Sequence, residues 1–422
     1  MDIFTQSVSF ARAMSSRRKS HPPKRVAFAF PFGRAFVEDL VHAIHAHARA
    51  CEPWVFTRFP ERLSPSLDWL KAWDGDGAFV LLSTHEDARL ARALPFPVVN
   101  LTAYFPDPGV PTVTMDHAAI GRLAARHLLE RRFRHFGFYG SGELWFSQLR
   151  RQGFVETVRQ HGAPCAVLEA NSNIASGRTW MRQQLKLEQW LRALRSPVGI
   201  MASTDLRANM LLETCRSIGR RVPDEVAVIG VDNDPVICGY AQPPLSSVAR
   251  DDRRAGELAA GLLADLMAGR RVRSGPVFVA PAEVVARQST ETMAVDDPVL
   301  AGLVQHVRDH VGEQFGVERL LAITHGSRRS LETRFQRQLG LPPGAFITGL
   351  RLKHAEKTLA ANPRLPLSQV AAACGFSDLR HFRMVFRRRN GCSPAEHRRK
   401  LLGLATPSAP LPSADTWRVI NQ

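Results

Sequence analysis

Cationic side chains recur in two similar blocks near the C-terminal end of this 422-residue chain. Each block has an apolar helix-like segment, a short turn and a second helix-like segment that ends on phenylalanine, over residues 318–335 and 367–386. Their basic residues are Arg328, Arg329 and Arg334 in the first block, and Arg380, His381, Arg383 and Arg387 in the second. A guanidinium can donate two hydrogen bonds to guanine in the DNA major groove, and it also pairs with phosphates. The residue types therefore predict DNA contact.

The spacing within each block predicts a helix-turn-helix unit. Apolar residues four positions apart mark the buried face of each second helix. These pairs are Leu331 with Phe335 and Phe382 with Phe386. Ser327 and Ser377 stand where a helix N-cap is expected, and Gly375 supplies the left-handed residue of a tight turn. The alternative for any single arginine is a solvated surface charge, whereas the duplicated setting favours DNA.

The net charge of +17 is concentrated at this end of the chain. Residues 298–403 hold 18 Lys and Arg against 7 Asp and Glu, a net charge of +11. Residues 26–297 are almost neutral, with 31 basic against 30 acidic side chains. This asymmetry indicates a polyanionic partner for the C-terminal part only.

The near-neutral body alternates short apolar runs with longer amphipathic segments. The expected strands are Val26–Phe30, Ala78–Leu82, Val98–Leu101, Phe136–Tyr139, Val198–Ala202 and Val226–Val231. The expected helices include Phe36–Ala50, Ala118–Glu130 and Leu206–Ile218. Such alternation predicts parallel sheets covered by helices, and about 260 residues suffice for two α/β lobes. Beyond Pro298 only helical periodicity remains.

The C-terminal blocks resemble the AraC-type transcription regulators. The segment Gly391-Cys-Ser-Pro-Ala-Glu-His-Arg398 is similar to that family's closing signature, and Arg351–Leu359 is similar to its linking helix. The resemblance implies seven helices and two recognition helices that enter successive major grooves, on the order of 34 Å apart. The first turn, Thr324–Ser327, departs from the pattern, because His325 stands where the family usually has glycine.

The body resembles the sensor domains of lactose-repressor-type regulators. The resemblance rests on Val228–Asp234, Pro244–Val248, Met115–Tyr139 and Ala202–Asp205. It implies a periplasmic-binding-protein-like fold of type I. The predicted fold class is thus a two-lobed α/β sensor followed by an all-α AraC-type domain with two helix-turn-helix units.

A sugar needs paired acceptors and charged donors at the cleft between such lobes. Asp232 and Asn233 end a buried strand, and the resemblance implies that they bind the ligand. Arg150 matches an arginine of the sensor family, and Asp205 is a further candidate. The alternatives are a helix N-cap or hinge hydrogen bond for Asp232, a surface ion pair for Arg150, and a structural role for Asp205. The first loop, Phe30–Phe36, is unusually apolar for a sugar sensor.

The chain divides into five predicted regions. They are a disordered basic tail (1–24), the ligand sensor (25–290), a linker (291–298), the DNA-binding domain (299–403) and a flexible tail (404–422). No apolar run approaches the roughly 20 residues of a membrane span. Six scattered cysteines favour a reducing cytoplasm and disfavour a structural metal.

These features predict a cytoplasmic, nucleoid-associated transcription regulator, an activator of carbohydrate-utilisation genes. The resemblance implies a small sugar effector (xylose or a related carbohydrate), double-stranded DNA and RNA polymerase as partners, and a homodimer. An extracytoplasmic solute-binding protein is the alternative, disfavoured by residues 298–400 and by the lack of an apolar leader. A carbohydrate-acting enzyme is a third hypothesis, but the sequence has no Gly-rich phosphate loop, HExxH motif or nucleophile elbow. We therefore expect neither a cofactor nor catalytic residues.

Overall fold

The computed structural model describes residues 22–30, 35–51, 53–58, 67–171, 177–272, 275–292, 294–295 and 297–402. The chain divides into two compact units at Ala294 and Val295. Residues 1–21 and 403–422 lie outside the described residues, as do 31–34 of the apolar first loop. The predicted tails therefore fall almost wholly outside them.

A parallel sheet forms the first lobe of the sensor unit. Its strands are β1 (Lys24–Ala29), β2 (Trp54–Arg58), β3 (Gly77–Val80) and β4 (Val98–Asn100), in the order β2-β1-β3-β4. Helices α1 (Ala35–Cys51) and α2 (His85–Arg92) and a 3₁₀ helix (Leu67–Lys71) pack on it. Both faces are buried, because Val26 and Phe28 join one apolar cluster and Ala27 and Ala29 join another. Burial on both faces explains why residues 26–29 of β1 and all of β3 are apolar runs without polar alternation.

The second lobe has a larger sheet. Its strands are β6 (His135–Gly140), β7 (Cys165–Glu169), β8 (Val198–Ala202), β9 (Val226–Val231), β10 (Ser246–Val248) and β12 (Val284–Val285). The order is β12-β10-β9-β8-β6-β7, with β12 antiparallel to β10 and the other pairs parallel. Its helices are α3 (His117–Glu130), α4 (Trp145–Gln160), α5 (Gly177–Ala193), α6 (Asp205–Ser217) and α7 (Pro235–Tyr240).

Three segments cross between the lobes. The chain crosses after β5 (Val113–Met115), again between β10 and α8 (Asp252–Met267), and again between β11 (Val277–Val279) and β12. Helix α8 packs on α1, and β11 pairs with β5, so both belong to the first lobe. Backbone hydrogen bonds join the crossing segments to one another, from Asp116 N to Val279 O (2.7 Å) and from Ala249 N to Glu283 O (2.8 Å).

Helices α3 and α4 cross so closely that only glycine fits at the contact. A Cβ atom on Gly121 would lie 2.1 Å from the carbonyl oxygen of Arg150, and one on Gly153 would lie 2.1 Å from that of Ala118. The crossing therefore brings the N-terminal part of α3 beside Arg150 on α4.

The far end of α3 holds the segment from which the chain leaves the sensor. His127 Nε2 lies 2.8 Å from Thr290 Oγ1, and Arg131 Nε donates to the carbonyl of Thr290 (2.9 Å). The amide of Ala294 donates to the carbonyl of Arg131 (2.9 Å). Because Arg131 also donates to His127 Nδ1 (3.1 Å), the imidazole carries its proton on Nε2 and donates it to Thr290.

The second unit is helical throughout its described stretch, residues 297–402. Its seven helices are α9 (Pro298–Asp309), α10 (Val317–Thr324), α11 (Arg328–Leu339), α12 (Pro343–Ala361), α13 (Leu367–Ala373), α14 (Leu379–Asn390) and α15 (Pro394–Leu401). Helices α10 and α11 form the first helix-turn-helix unit, and α13 and α14 form the second.

The turns agree with the sequence at most positions. His325 adopts the left-handed conformation (φ 51°) that glycine would otherwise supply, and Gly375 does so in the second unit (φ 72°). Ser327 caps α11 as expected. The expectation for Ser377 is wrong, because the N-cap of α14 is Asp378, whose carboxylate accepts from the amides of the first turn. A carboxylate suits this position at the positive end of the helix dipole.

We expect Gly121→Ala to destabilise the sensor by about 1–3 kcal/mol, because the added methyl group meets backbone that cannot move aside. Urea unfolding of the full chain measures the effect. Gly261→Ala in α8 is the matched control, since the nearest atom there, His47 Cε1, is 4.0 Å away. Equal stability of the two variants would contradict the tight crossing.

Candidate functional site

Arg150 lies at the centre of the candidate ligand site, and its side chain is only 1% exposed. Its Nη2 lies 3.5 Å from Asp232 Oδ1, and its Nε donates to Nδ1 of His117 (3.3 Å). Its Nη1 donates to the carbonyl of Ser203, and the guanidinium lies 5.0 Å from the ring centre of Phe146. Burial lowers the pKa of Arg150 to about 10, against the opposing effect of Asp232, so the group remains cationic at neutral pH.

Asp232 directly follows β9, and a quarter of its side chain is exposed. Its φ of 110° is one that non-glycine residues rarely adopt, and the next residue, Asn233, is also left-handed (φ 52°). The strained turn aims the carboxylate at Arg150 while its amide stays bonded to Val248 O (3.1 Å). Backbone strain of this kind persists only where surrounding structure enforces it, and it is common at ligand sites.

Arg250 is a second cation at the site that the sequence analysis missed. It follows β10 on a crossing segment, and its Nη1 lies 3.6 Å from Asp232 Oδ1. Its Nη2 lies closer to Asp252 Oδ1, at 2.7 Å. The guanidinium of Arg250 also lies 4.6 Å from the ring centre of Phe36 in the first lobe. Burial alone would lower the pKa of Arg250, but the carboxylates of Asp252 and Asp232 raise it. An isolated arginine after a short strand gives no periodic signal, so only the fold identifies it.

Asp205 and Asn233 lie beneath this arrangement. The buried Asp205 accepts from Ser247 Oγ (2.6 Å) and from the amide of Asp234 (2.8 Å). Burial and then the charge of Asp232 raise the pKa of Asp205 to about 7. Asn233 accepts from Arg287 Nη2 through its side-chain oxygen (2.8 Å). Protein donors thus engage both side chains, which fix the loop that carries Asp232.

The site lies where the two lobes meet. Asp232, Ser203 and Arg250 follow the carboxyl ends of neighbouring parallel strands, the edge at which open α/β sheets bind ligands. The amides of Trp145 and Phe146 donate to carbonyls of the first lobe, those of Tyr104 and Ala103 (2.9 Å each). The partly exposed carboxylate of Asp232 can accept hydrogen bonds from the hydroxyl groups of a small sugar. The two guanidinium groups beside it can donate hydrogen bonds to those hydroxyl groups.

The buried His117 is part of the same arrangement. Its Nδ1 accepts from Arg150, so Nε2 carries the proton and donates to Thr114 Oγ1 (3.3 Å). Burial, reinforced by Arg150 and Arg250, lowers the pKa of His117 well below its ordinary value. The imidazole is therefore neutral, and it positions Arg150 without adding charge.

In the helical unit, α14 presents four of the expected cations to solvent. Phe382 and Phe386 are fully buried, and they fix which face of the helix is exposed. The exposed residues include Arg380, His381, Arg383 and Arg387. Backbone hydrogen bonds from Arg380 (2.9 Å) and His381 (3.1 Å) lower the pKa of the N-cap Asp378.

The corresponding helix α11 carries a different charge pattern. Arg329 is exposed, and Arg328 is exposed but paired with Glu332 (3.2 Å) and Glu318 (3.8 Å). Arg334 is partly buried, and its guanidinium donates to Asp297, the N-cap of α9. This contact ties the start of the helical unit to α11 and distinguishes Arg334 from the other six cations.

Helix α12 joins the two helix-turn-helix units through one guanidinium. Arg351 Nη2 donates to the carbonyls of Glu313 (2.7 Å) and Phe315 (2.9 Å), which precede the first unit. A Cβ atom on Gly375, in the turn of the second unit, would lie 2.7 Å from Arg351 Nε. The glycine therefore serves both the left-handed turn and the space that Arg351 needs.

Comparison with known proteins agrees with both units. A periplasmic binding protein-like domain family matches residues 125–290, and a helix-turn-helix domain family matches residues 320–400. No helix among the described residues is long and apolar enough to span a membrane.

Curated relatives match over most of the chain. The xylose operon regulatory protein of Escherichia coli K12 is 27% identical over 89% of this chain and 96% of its own length. The protein of the same name from Haemophilus influenzae is 30% identical over 69% of this chain and 75% of its own length. A solved structure of the xylose-binding transcription activator XylR has a TM-score of 0.67 at 25% identity, over 89% of this chain and 98% of that one.

These matches confirm the predicted fold class and the resemblance to both regulator families, and they do not favour a transport protein. The relatives are transcription regulators and not enzymes. The chain belongs to the family of the xylose operon regulatory proteins, transcription regulators in which a periplasmic binding protein-like sensor precedes a DNA-binding domain of the AraC type.

Proposed function

We propose that a small sugar, xylose or a related carbohydrate, binds between the lobes and controls how the helical unit engages DNA. The arrangement of Arg150, Asp232 and Arg250 supports the proposal, since it places one partly exposed carboxylate between a buried cation, Arg150, and a largely buried one, Arg250. The two relatives named for a xylose operon and the structure named for xylose binding support a pentose. Phe36 and Phe146 supply apolar surface for the faces of the ring.

The mechanism is a shift between lobe arrangements. A ligand that contacts both lobes binds the closed arrangement more tightly, and it can shift the population only by that difference in affinity. The three crossing segments beside the site are the parts of the chain that must change. The regulator acts in the cytoplasm at the nucleoid, on RNA polymerase, as an activator of carbohydrate-utilisation genes.

A thermal-shift series with pentoses, hexoses, deoxy sugars and uronic acids tests the effector. A ligand present at 100 times its Kd stabilises the folded chain by about 2.7 kcal/mol. We expect xylose or a close relative to raise the melting temperature. A series in which no sugar changes it would overturn the proposal.

Asp232→Asn should weaken sugar binding by about ten- to a hundredfold, because a charge-assisted hydrogen bond contributes about 1.5–3 kcal/mol. Calorimetric titration with the sugar identified above measures the change. Asp74→Asn removes a carboxylate from a fully exposed side chain and is the matched control. Unchanged affinity in Asp232→Asn would remove this residue from the site.

We propose that the six cations Arg328, Arg329, Arg380, His381, Arg383 and Arg387 contact double-stranded DNA. Two recognition helices in one chain suit tandem half-sites in successive major grooves. Arg334 has a different proposed role, because its pair with Asp297 holds α9 against α11.

Arg383→Ala should lower the affinity for duplexes enriched from a randomised library, with a cost of about 1–3 kcal/mol if it contacts a base. Arg334→Ala should instead lower the melting temperature of the helical unit, with a smaller direct effect on DNA binding. Fluorescence anisotropy and thermal unfolding of both variants separate the roles. If Arg334→Ala lowered the affinity for DNA without lowering the melting temperature, Arg334 would be a DNA-contacting residue after all.

We propose that the chain forms a homodimer through a face of α6 and α7. The N-terminal ends of these helices lie side by side, since Asp205, the first residue of α6, accepts from the amide of Asp234, the N-cap of α7. Leu206, Val236 and Tyr240 are 63%, 65% and 83% exposed there. Exposed apolar residues that cluster in this way mark association surfaces.

Light scattering should give the mass of two chains for the native protein and of one chain for Tyr240→Glu. Met181→Glu on α5 is the control, because Met181 is similarly exposed (61%) but belongs to neither α6 nor α7. Dissociation by Met181→Glu alone would place the interface elsewhere.

A further inference from the structure

An apolar side chain lies at the middle of the exposed face of α14. Met384 is 62% exposed, although it belongs to a helix that is otherwise strongly basic. Arg380 precedes it by one turn, and Arg387 and Arg388 follow it by one turn. Side chains at these spacings are neighbours on a helix surface, so guanidinium groups surround the thioether.

The first recognition helix repeats this arrangement at the corresponding position. Thr333 follows the buried Leu331 by two residues, as Met384 follows the buried Phe382. Its hydroxyl donates to the carbonyl of Arg329 (2.8 Å), so its methyl group is what the exposed side chain offers to a partner. Arg329 precedes it by one turn, and Arg337 follows it by one turn.

The position faces away from the protein core in both helices. At 3.6 residues per turn, a residue two positions on is rotated by about 200° from the buried one. Each helix thus has an apolar group at the middle of the face opposite its buried side, with cations one turn before and one turn after it. The cations can pair with phosphates, which sets the helix in the groove but does not read sequence. The central group is then the one pressed against base edges.

Only one base offers an apolar group in the major groove, since thymine alone carries a 5-methyl group. We propose that Met384 and Thr333 are specificity-determining residues, each of which contacts the methyl group of a thymine in one half-site. The inference rests on the proposed DNA contact of α11 and α14. It adds that the residue at the middle of each helix selects a thymine. An apolar protein surface is disfavoured as the occupant at Met384, because it would bury the exposed guanidinium groups of Arg380, Arg387 and Arg388 without supplying anions.

The test uses the full chain and duplexes enriched from a randomised library. We expect a thymine at one fixed position in each half-site. Replacement of that thymine by deoxyuridine removes only the methyl group. It should lower the affinity of the native protein about three- to fivefold, the value of one buried methyl or methylene group.

Variants identify the residue that contacts each methyl group. Met384→Ala and Met384→Gln should bind the thymine and deoxyuridine duplexes of the second half-site equally, whereas Met384→Leu should retain the preference. In the first half-site Thr333→Ser should lose the preference and Thr333→Val should keep it. Ile323→Ala, on α10 and 46% exposed, is the control and should discriminate as the native chain does.

The outcomes separate this inference from the proposed function. If the native chain enriches no sequence, the DNA-binding proposal itself fails. If it enriches a site in which deoxyuridine binds as well as thymine at every position, the methyl contacts are wrong and the DNA-binding proposal stands. Discrimination that survives in both Met384→Ala and Thr333→Ser would likewise overturn the inference. Melting temperatures of the variants should match the native value, because both side chains are exposed.

Discussion

The burial of one guanidinium group, that of Arg150, is the constraint on which the sensor depends. A buried cation is costly unless it is paired and fully hydrogen-bonded, and each of its nitrogen atoms has a partner here, in Asp232, His117 and the carbonyl of Ser203. The strained turn at Asp232 and the neutral state of His117 both follow from this requirement. So does the close helix crossing at Gly121, which brings His117 within reach.

Helix α3 extends this constraint along the second lobe. At one end it carries His117, which contacts Arg150. At the other end His127 and the C-cap residue Arg131 hold Thr290 near the exit of the chain. The candidate ligand site and the exit segment are therefore fixed to the same helix. This helix can couple a ligand to DNA only if the lobes have two populated arrangements and both sites bias the equilibrium between them.

Much of this architecture could be predicted from the sequence. The strands β8 and β9 match their expected bounds, because a short uninterrupted apolar run between turn residues is typical of a strand buried on both faces. The neighbours of Asp232 could not be predicted in full, since Arg250 reaches it only through the crossing of the chain between lobes. The partner of Arg334 lies 37 positions away in sequence, and its ion pair likewise has no local signal. The close approach at Gly121 depends on a helix contact that no periodicity reveals.

The difference between the two recognition helices has a consequence for promoter layout. Fifty-one positions separate equivalent residues, so Arg383 and Arg387 in α14 correspond to Glu332 and Gln336 in α11. With the DNA contacts proposed above, the two halves of the DNA that one chain covers would differ in sequence. A site turned end to end would present each half to the wrong helix. A chain bound in this way would have one defined orientation on the DNA, set by the sequence of the site alone.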